Sequence, residues 1–329
     1  MMPERERSWL VAGPLSGRLN VTDEDGRPRL RRAGAQGGPG RTGAETANAR
    51  LILHRTAVFE ILTDSGTRRL GDLDDTPIRA WAVETGLGQS HSGEVRARLA
   101  DRRAKGLGLL AGATGMTMIA VQLTPQGALI TGTGAGGVRD VGIELHGTHG
   151  WPFIPASALK GVASAYARDS GRVADGTRAR IFGTPRPDSG PGPVTGEPVA
   201  SVDAAARPPT VPGSVRFYDA LPAASGVTVA EHVLTPHARD YHIGHDLPST
   251  GERPPPAEYL NPVPIPFLVV ESGTFMAHLI GPEADVTAAS ELLSAAVDDI
   301  GVGAKTSAGY GYLHATPRPT GRAEPGPAT

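Results

Sequence analysis

Two stretches of the chain set cations, hydroxyls and glycines at spacings that suit a phosphate. The first is WPFIPASALKGVASAYAR, residues 151–168. Pro155 holds Ile154 extended, so a helix cannot begin earlier, and Ser157 falls at its N-cap or in its first turn. Leu159, Val162, Ala163 and Tyr166 recur at helical spacing and predict a buried face. The opposite face carries Ser157, Lys160, Gly161, Ser164 and Arg168. Any amphipathic helix has a polar side. Here, though, Gly161 gives up about 1 kcal/mol of helix propensity relative to alanine, which makes sense where something must come close. The N–H groups at the helix start add partial positive charge.

The second stretch is GVGAKTSAGYG, residues 301–311. Gly301, Gly303 and Gly309 allow a loop whose successive N–H groups form an anion nest. Lys305, Thr306 and Ser307 supply a cation and two hydroxyls. It is no Walker A loop, which needs a glycine directly before the lysine and a helix after it. Lysine stands at only three positions, Lys105, Lys160 and Lys305, in a chain that otherwise writes positive charge as arginine. Two of the three fall in these motifs.

Other candidates for chemistry are weaker. GTGAGG, residues 132–137, matches a dinucleotide fingerprint but is followed by no convincing helix, so it reads as a turn. His237, His242 and His245 with Asp240 and Asp246 have donor types suited to zinc or manganese. Their spacing fits no helix face, and the segment reads as a loop. Asp298 and Asp299 are adjacent, diverge on a helix and read as solvated. His146 and His149 flank the first motif, as RNA contacts or as an acid–base pair. No constellation commits to catalysis, a metal or a cofactor.

The elements that must hold these motifs follow from pattern. The chain has 329 residues, a net charge of −2, 44 glycines and 30 prolines. It is long enough for one large domain or two, and no global basic field marks it as a nucleic-acid binder. The absence of cysteine excludes disulfides, thiolate metal sites and cysteine nucleophiles. The N-terminus has too short an apolar run for a signal peptide, and no apolar stretch reaches a bilayer span, so a cytoplasmic protein without membrane contact is expected. Residues 1–110 read as a basic, partly disordered extension with helical segments. Within it, residues 27–41 form a mobile arginine-rich loop, and EVRARLADRRAKGLGLL is a helix with a solvated outer face.

From residue 111 the order is strand, helix, strand, strand, helix, strand. The strands are MTMIAVQLT, GSVRFYDALP, VPIPFLVVESGTFMAHLIG and AGYGYLHAT; the second helix has Val286, Ala289, Leu293, Ala296 and Ile300 on one face. That order predicts an α+β, ferredoxin-like or RRM-like (βαββαβ) domain over residues 111–318, with two helices on one sheet face. Long Gly/Pro-rich insertions interrupt it at 169–213 and 221–266, and residues 319–329 form a disordered tail.

The two motifs, in this order, resemble the RAMP superfamily of CRISPR proteins. Its members carry an Ile-Pro-Gly-Ser-Ser-Leu-Lys-Gly helix start, here IPASALKG, and a glycine-rich loop near the C-terminus. DVGIELHGTHGWPFIP, IFG, VRFYDALP, LTPHARDYH and NPVPIPFLVV narrow the resemblance to the sixth RAMP subunit of the type III-B (Cmr) effector complex. It covers about residues 115–315. Ala156 and Ala158 depart from the pattern; the second loses a hydroxyl, and the first disfavours a left-handed backbone.

The resemblance implies a non-catalytic subunit that binds the 3′ part of the guide RNA, with target RNA paired alongside. Neighbouring RAMP subunits and a small helical subunit would be its protein partners. The rival reading is an endoribonuclease of the same superfamily that processes CRISPR precursor RNA. His146, His149 or His242 would then be its candidates.

Overall fold

The structure, a computed structural model, describes residues 8–32, 48–64, 67–84, 87, 93–132, 143–184, 211–235, 262 and 264–320. The chain runs β1 (Ser8–Ala12), β2 (Leu19–Glu24), β3 (Arg27–Arg32), α1 (Ala49–Arg55), β4 (Ala57–Asp64), β5 (Thr67–Leu73) and α2 (Thr76–Glu84). It continues through α3 (Gly93–Ala113), β6 (Thr117–Pro125), α4 (Ala156–Ser170) and α5 (Asp175–Phe182). It ends with β7 (Arg216–Leu234), β8 (Ile265–Gly281), α6 (Glu283–Asp299) and β9 (Leu313–Thr320). By contact it falls into two units that interleave: residues 1–92, 128–152 and 226–273, and residues 93–127, 153–225 and 274–329.

In the first unit β1, β4 and β5 form an antiparallel sheet and β2–β3 a hairpin. Leu19, Leu30, Ile52, Leu53, Val58, Ile78 and Trp81 are buried there. The arginine-rich segment therefore starts as a strand and not as a loop. Leu30 points inward at 1% exposure, and Arg29 and Arg31 are balanced by acids. Arg31 pairs with Glu24 at 2.6 Å, and Arg29 pairs with Glu84. Residues 33–41 of that segment lie outside the described residues. Asn48 caps α1 by accepting the Arg50 N–H at 3.0 Å, and donates to the Gly147 carbonyl at 2.9 Å. Gly150 (φ 66°) must be glycine there, since a Cβ would stand 2.7 Å from the Asn48 Oδ1.

In the second unit the sheet order is β7-β8-β6-β9. β6 pairs antiparallel with β8, from Thr117↔Gly281 to Leu123↔Phe275, and with β9, from Met118↔Thr320 to Pro125↔Leu313. Both faces of β6 are buried, which explains its unbroken apolar run. Ile119, Val121 and Leu123 lie on the same face as their β8 partners Leu279, Ala277 and Phe275. α6 packs on that side against β6 and β9, and α4 packs on α6. Met118 and Ile280 face the other way and pack with Leu107 and Ala111 of α3, Met116 and Tyr218. The sheet is thus covered on both faces, where the sequence predicts helices on one.

Both rims of this sheet are guarded. Ala220 of β7 exchanges backbone hydrogen bonds with Ile154 at 3.0 and 2.9 Å. Two arginines of α3 take further β7 carbonyls: Arg96 donates to Ala224 O at 3.1 Å and Arg103 to Asp219 O at 2.6 Å. On the opposite rim β9 contains Pro317 and Pro319, which have no N–H to offer. α5 was read as loop; it is eight residues long and held by burial of Ile181 and Phe182.

Candidate nucleic-acid interface

α4 begins with Pro155 at its N-cap (φ −59°, ψ 140°). Ser157 is therefore a first-turn residue and makes no side-chain cap. Leu159, Ala163 and Tyr166 are buried and Val162 half-buried, as the spacing predicts. On the other face Ser157, Gly161 and Arg168 are exposed, and Lys160 and Ser164 half-buried. A Cβ at Gly161 would meet nothing within 4 Å. No part of this unit demands the missing side chain, so the close approach it permits is open to another molecule. Arg168 is less available than its position suggests. Its guanidinium bonds the neighbouring Asp169 at 2.8 Å, which holds Arg168 above and Asp169 below their ordinary pKa values.

The helix tip differs from the sequence reading. The Ala156 N–H is accepted by Asp219 Oδ1 at 2.7 Å. The Ala158 and Leu159 N–H groups both turn to the Pro155 carbonyl, at 3.0 and 3.2 Å. The tip already holds a carboxylate supplied by β7.

The glycine-rich loop follows α6. Its base is closed by the Val302 N–H bonding the Gly311 carbonyl at 2.8 Å. Gly301 (φ 73°), Gly303 (φ 97°), Gly309 (φ 89°) and Gly311 (φ 81°) are all left-handed, and so is Lys305 (φ 58°). A single 3-10 turn, Thr306–Ala308, crosses the tip. The Ala308, Gly309 and Tyr310 N–H groups bond back to Lys305 and Thr306 carbonyls within the loop. The N–H groups of residues 303–307 find no acceptor among the described residues. They form a run of donors around the exposed Lys305, as an anion nest requires. Lys160 and Lys305 make no ion pair among the described residues.

α4 and the loop are coupled through the end of α6. Tyr166 donates to Asp299 at 2.6 Å, and that bond, with burial, pushes the phenol pKa up. Gln126 bonds Asp298, and its N–H reaches the Tyr312 carbonyl at 2.9 Å. Asp298 and Asp299 are exposed, as adjacency predicts, but each also anchors a neighbouring element. Both stand at the negative end of the α6 dipole, and these donors offset that placement.

His149 belongs to the first unit. Its ring stacks on Trp151 at 4.5 Å and on His146 at 5.1 Å. The two imidazoles lie face to face, 13° from parallel. Most of GTGAGG and all of His237, Asp240, His242, His245 and Asp246 lie outside the described residues. Among the described residues no group of three His, Cys, Asp or Glu could hold a metal ion, and no helix is long and apolar enough to cross a membrane.

Sequence reasoning missed Asp219, the inward arginines and His278. Arg96 is 4% exposed and Arg103 half-buried, whereas Arg98 and Lys105 lie outside and pair with Glu94 and Asp101. The seven-residue interval between Arg96 and Arg103, two helical turns, was the available signal. His278 is 5% exposed and its Nδ1 has no hydrogen-bond partner among the described residues. Burial and then the Arg103 charge push its pKa down to about 4, so it is neutral at pH 7.

An α+β sheet closed by a glycine-rich, lysine-bearing loop is the class of protein this unit defines. The model of the RAMP superfamily matches residues 122–314, and the chain belongs to that superfamily. It is 36% identical over 109 residues to the CRISPR system Cmr subunit Cmr6 of Pyrococcus furiosus, a match spanning 31% of this chain and 30% of that one. Among solved structures, it is similar to a chain in the type III-B Cmr-beta complex bound to cognate target RNA. That likeness has 19% identity, a TM-score of 0.49, and covers 72% of this chain and 71% of the other. The crystal structure of Cmr6 from Pyrococcus furiosus matches at 24% identity and a TM-score of 0.32, over 60% of this chain and 98% of that one.

Proposed function

We propose that the chain is a non-catalytic RNA-binding subunit of a type III-B CRISPR effector complex. It holds the 3′ part of the guide RNA and the backbone of the guide–target duplex beside other RAMP subunits and the small helical subunit. The observation that carries this reading is the run of N–H groups at 303–307, unbonded among the described residues, around Lys305. It stands in the same unit as the open face of Lys160 and Gly161. Superfamily membership and the partial match to Cmr6 support it. The strand order β7-β8-β6-β9, with α4 and α6 placed between strands, supports a ferredoxin-like domain. The superfamily match falls inside the 111–318 span assigned to that domain.

Chemically, the lysines, hydroxyls and N–H groups grip phosphates and carry no base code. A subunit that must accept any guide needs that kind of contact. Lysine suits it as a compact point charge that requires no planar fork. His149, in the first unit, is proposed as a separate RNA contact. The test is the double substitution Lys160→Ala with Lys305→Ala, measured in the assembled complex. Guide affinity should fall and the log–log salt slope flatten by about 1.4, at roughly 0.7 per single-strand phosphate contact. Unchanged affinity and slope would overturn the assignment.

A further inference from the structure

We propose that Asp219 keeps phosphate off the tip of α4 and so sets where on this helix an RNA backbone is held. The inference rests on the RNA-binding reading above and refines it.

A helix N-terminus attracts anions because its first N–H groups are unbonded and the macrodipole ends there. At α4 that place is taken. Asp219 Oδ1 accepts the Ala156 N–H at 2.7 Å, and its negative charge offsets the positive end of the dipole. The backbone that carries this carboxylate is held in place. Its own carbonyl is held by Arg103 at 2.6 Å, and the next residue, Ala220, is bonded in both directions to Ile154, just before the helix. A phosphate brought to the tip would meet a like charge. The side of the helix is different: there the Gly161 face is open and Lys160 makes no ion pair among the described residues. Asp219 therefore acts as a positioning and specificity-determining residue. It fastens α4 to β7 and directs the backbone from the tip to the Lys160 side.

Asp219→Asn separates the two roles. The amide oxygen still accepts the Ala156 N–H, while the negative charge disappears and Arg103 is left as the nearby charge at the helix tip. The measurement is affinity of the full chain for a uniform 30-nucleotide single-stranded RNA across a sodium chloride series, with a melting curve for each variant. Asp219→Asn should bind several-fold more tightly at low salt. Its log–log slope should steepen by about 0.7, one added phosphate contact, with an unchanged melting temperature. Asp219→Glu, which keeps the charge, should keep the wild-type slope. Should the Asn variant not fold, Asp219→Ser, also neutral with an acceptor oxygen, carries the same expectation. Wild-type binding with an equal or shallower slope in the neutral variants overturns the Asp219 inference alone. No binding by wild type or variants overturns both it and the RNA reading.

Discussion

Lys305 holds a left-handed backbone (φ 58°) that costs an L-residue about 1–2 kcal/mol. The loop keeps a side chain there, among glycines that carry no such penalty. Lys305→Gly should therefore raise stability by about 0.5–1 kcal/mol in a denaturant titration, while weakening RNA binding. Stability and affinity moving together would remove the charge from the account. Asp285 shows the opposite case, a side chain kept for the fold. It is 8% exposed and accepts from Arg180 at 2.9 Å and from Ser214 at 2.7 Å. The Arg180 bond, then that of Ser214, holds its pKa below the ordinary value of 3.8, against burial. A depressed carboxylate stabilises the fold above its unfolded pKa and loses that contribution as pH falls through the folded one. Asp285→Ala should lower stability by about 1–3 kcal/mol at pH 7, the lower end if solvent screens the exposed Arg180, and the gap from wild type should shrink below about pH 4. His278 has the same sign in another window. Its folded pKa of about 4 lies below the unfolded 6.5, so acidification across that interval favours the unfolded chain. His278→Phe should make the melting temperature less sensitive to pH between 6.5 and 4.

Among elements, legibility followed the source of the stabilisation. α6 was plain because its buried stripe of Val286, Ala289, Leu293 and Ala296 is written at helical spacing. Ile300 was assigned to that stripe but is 40% exposed, because the helix stops at Asp299 and Ile300 caps it. α5 was hidden because its turn-rich sequence has no side-chain N-cap and is stabilised by distant partners: Arg180 on Asp285, and Ile181 and Phe182 in the core. α3 was found, but its inward side was misread. Buried arginine is rare unless its donors are satisfied, and the β7 carbonyls that satisfy Arg96 and Arg103 lie over a hundred residues away. Separation along the chain also hid Asp219, 63 residues from the Ala156 N–H it accepts, so the tip of α4 looked open when it is filled. Arg103→Met should loosen α3 from β7, seen as faster amide exchange at residues 107–111 with the α6 amides unchanged. Equal protection throughout α3 would show that apolar packing alone holds it.

For the whole molecule, a net charge of −2 left any polyanion site to be local. The geometry keeps it so: among the described residues acids pair with Arg29, Arg31, Arg98 and Lys105, and none pairs with Lys160 or Lys305. α3 over Met118 and Ile280 also removes the sheet face on which RRM-type modules stack bases. Contact should then be insensitive to sequence. Affinities for single strands of uniform and mixed base composition should agree within about twofold at matched salt, and a strong preference would point to base readout.

The guarded rims of the second sheet have a consequence for assembly. With the Ala220 amide and carbonyl already engaged and proline interrupting the opposite border, this sheet is a poor template at those places for annexing a strand from a neighbour. Subunits docking there must do so through side-chain surfaces, which can be tuned for one partner and are a poor template for runaway self-stacking.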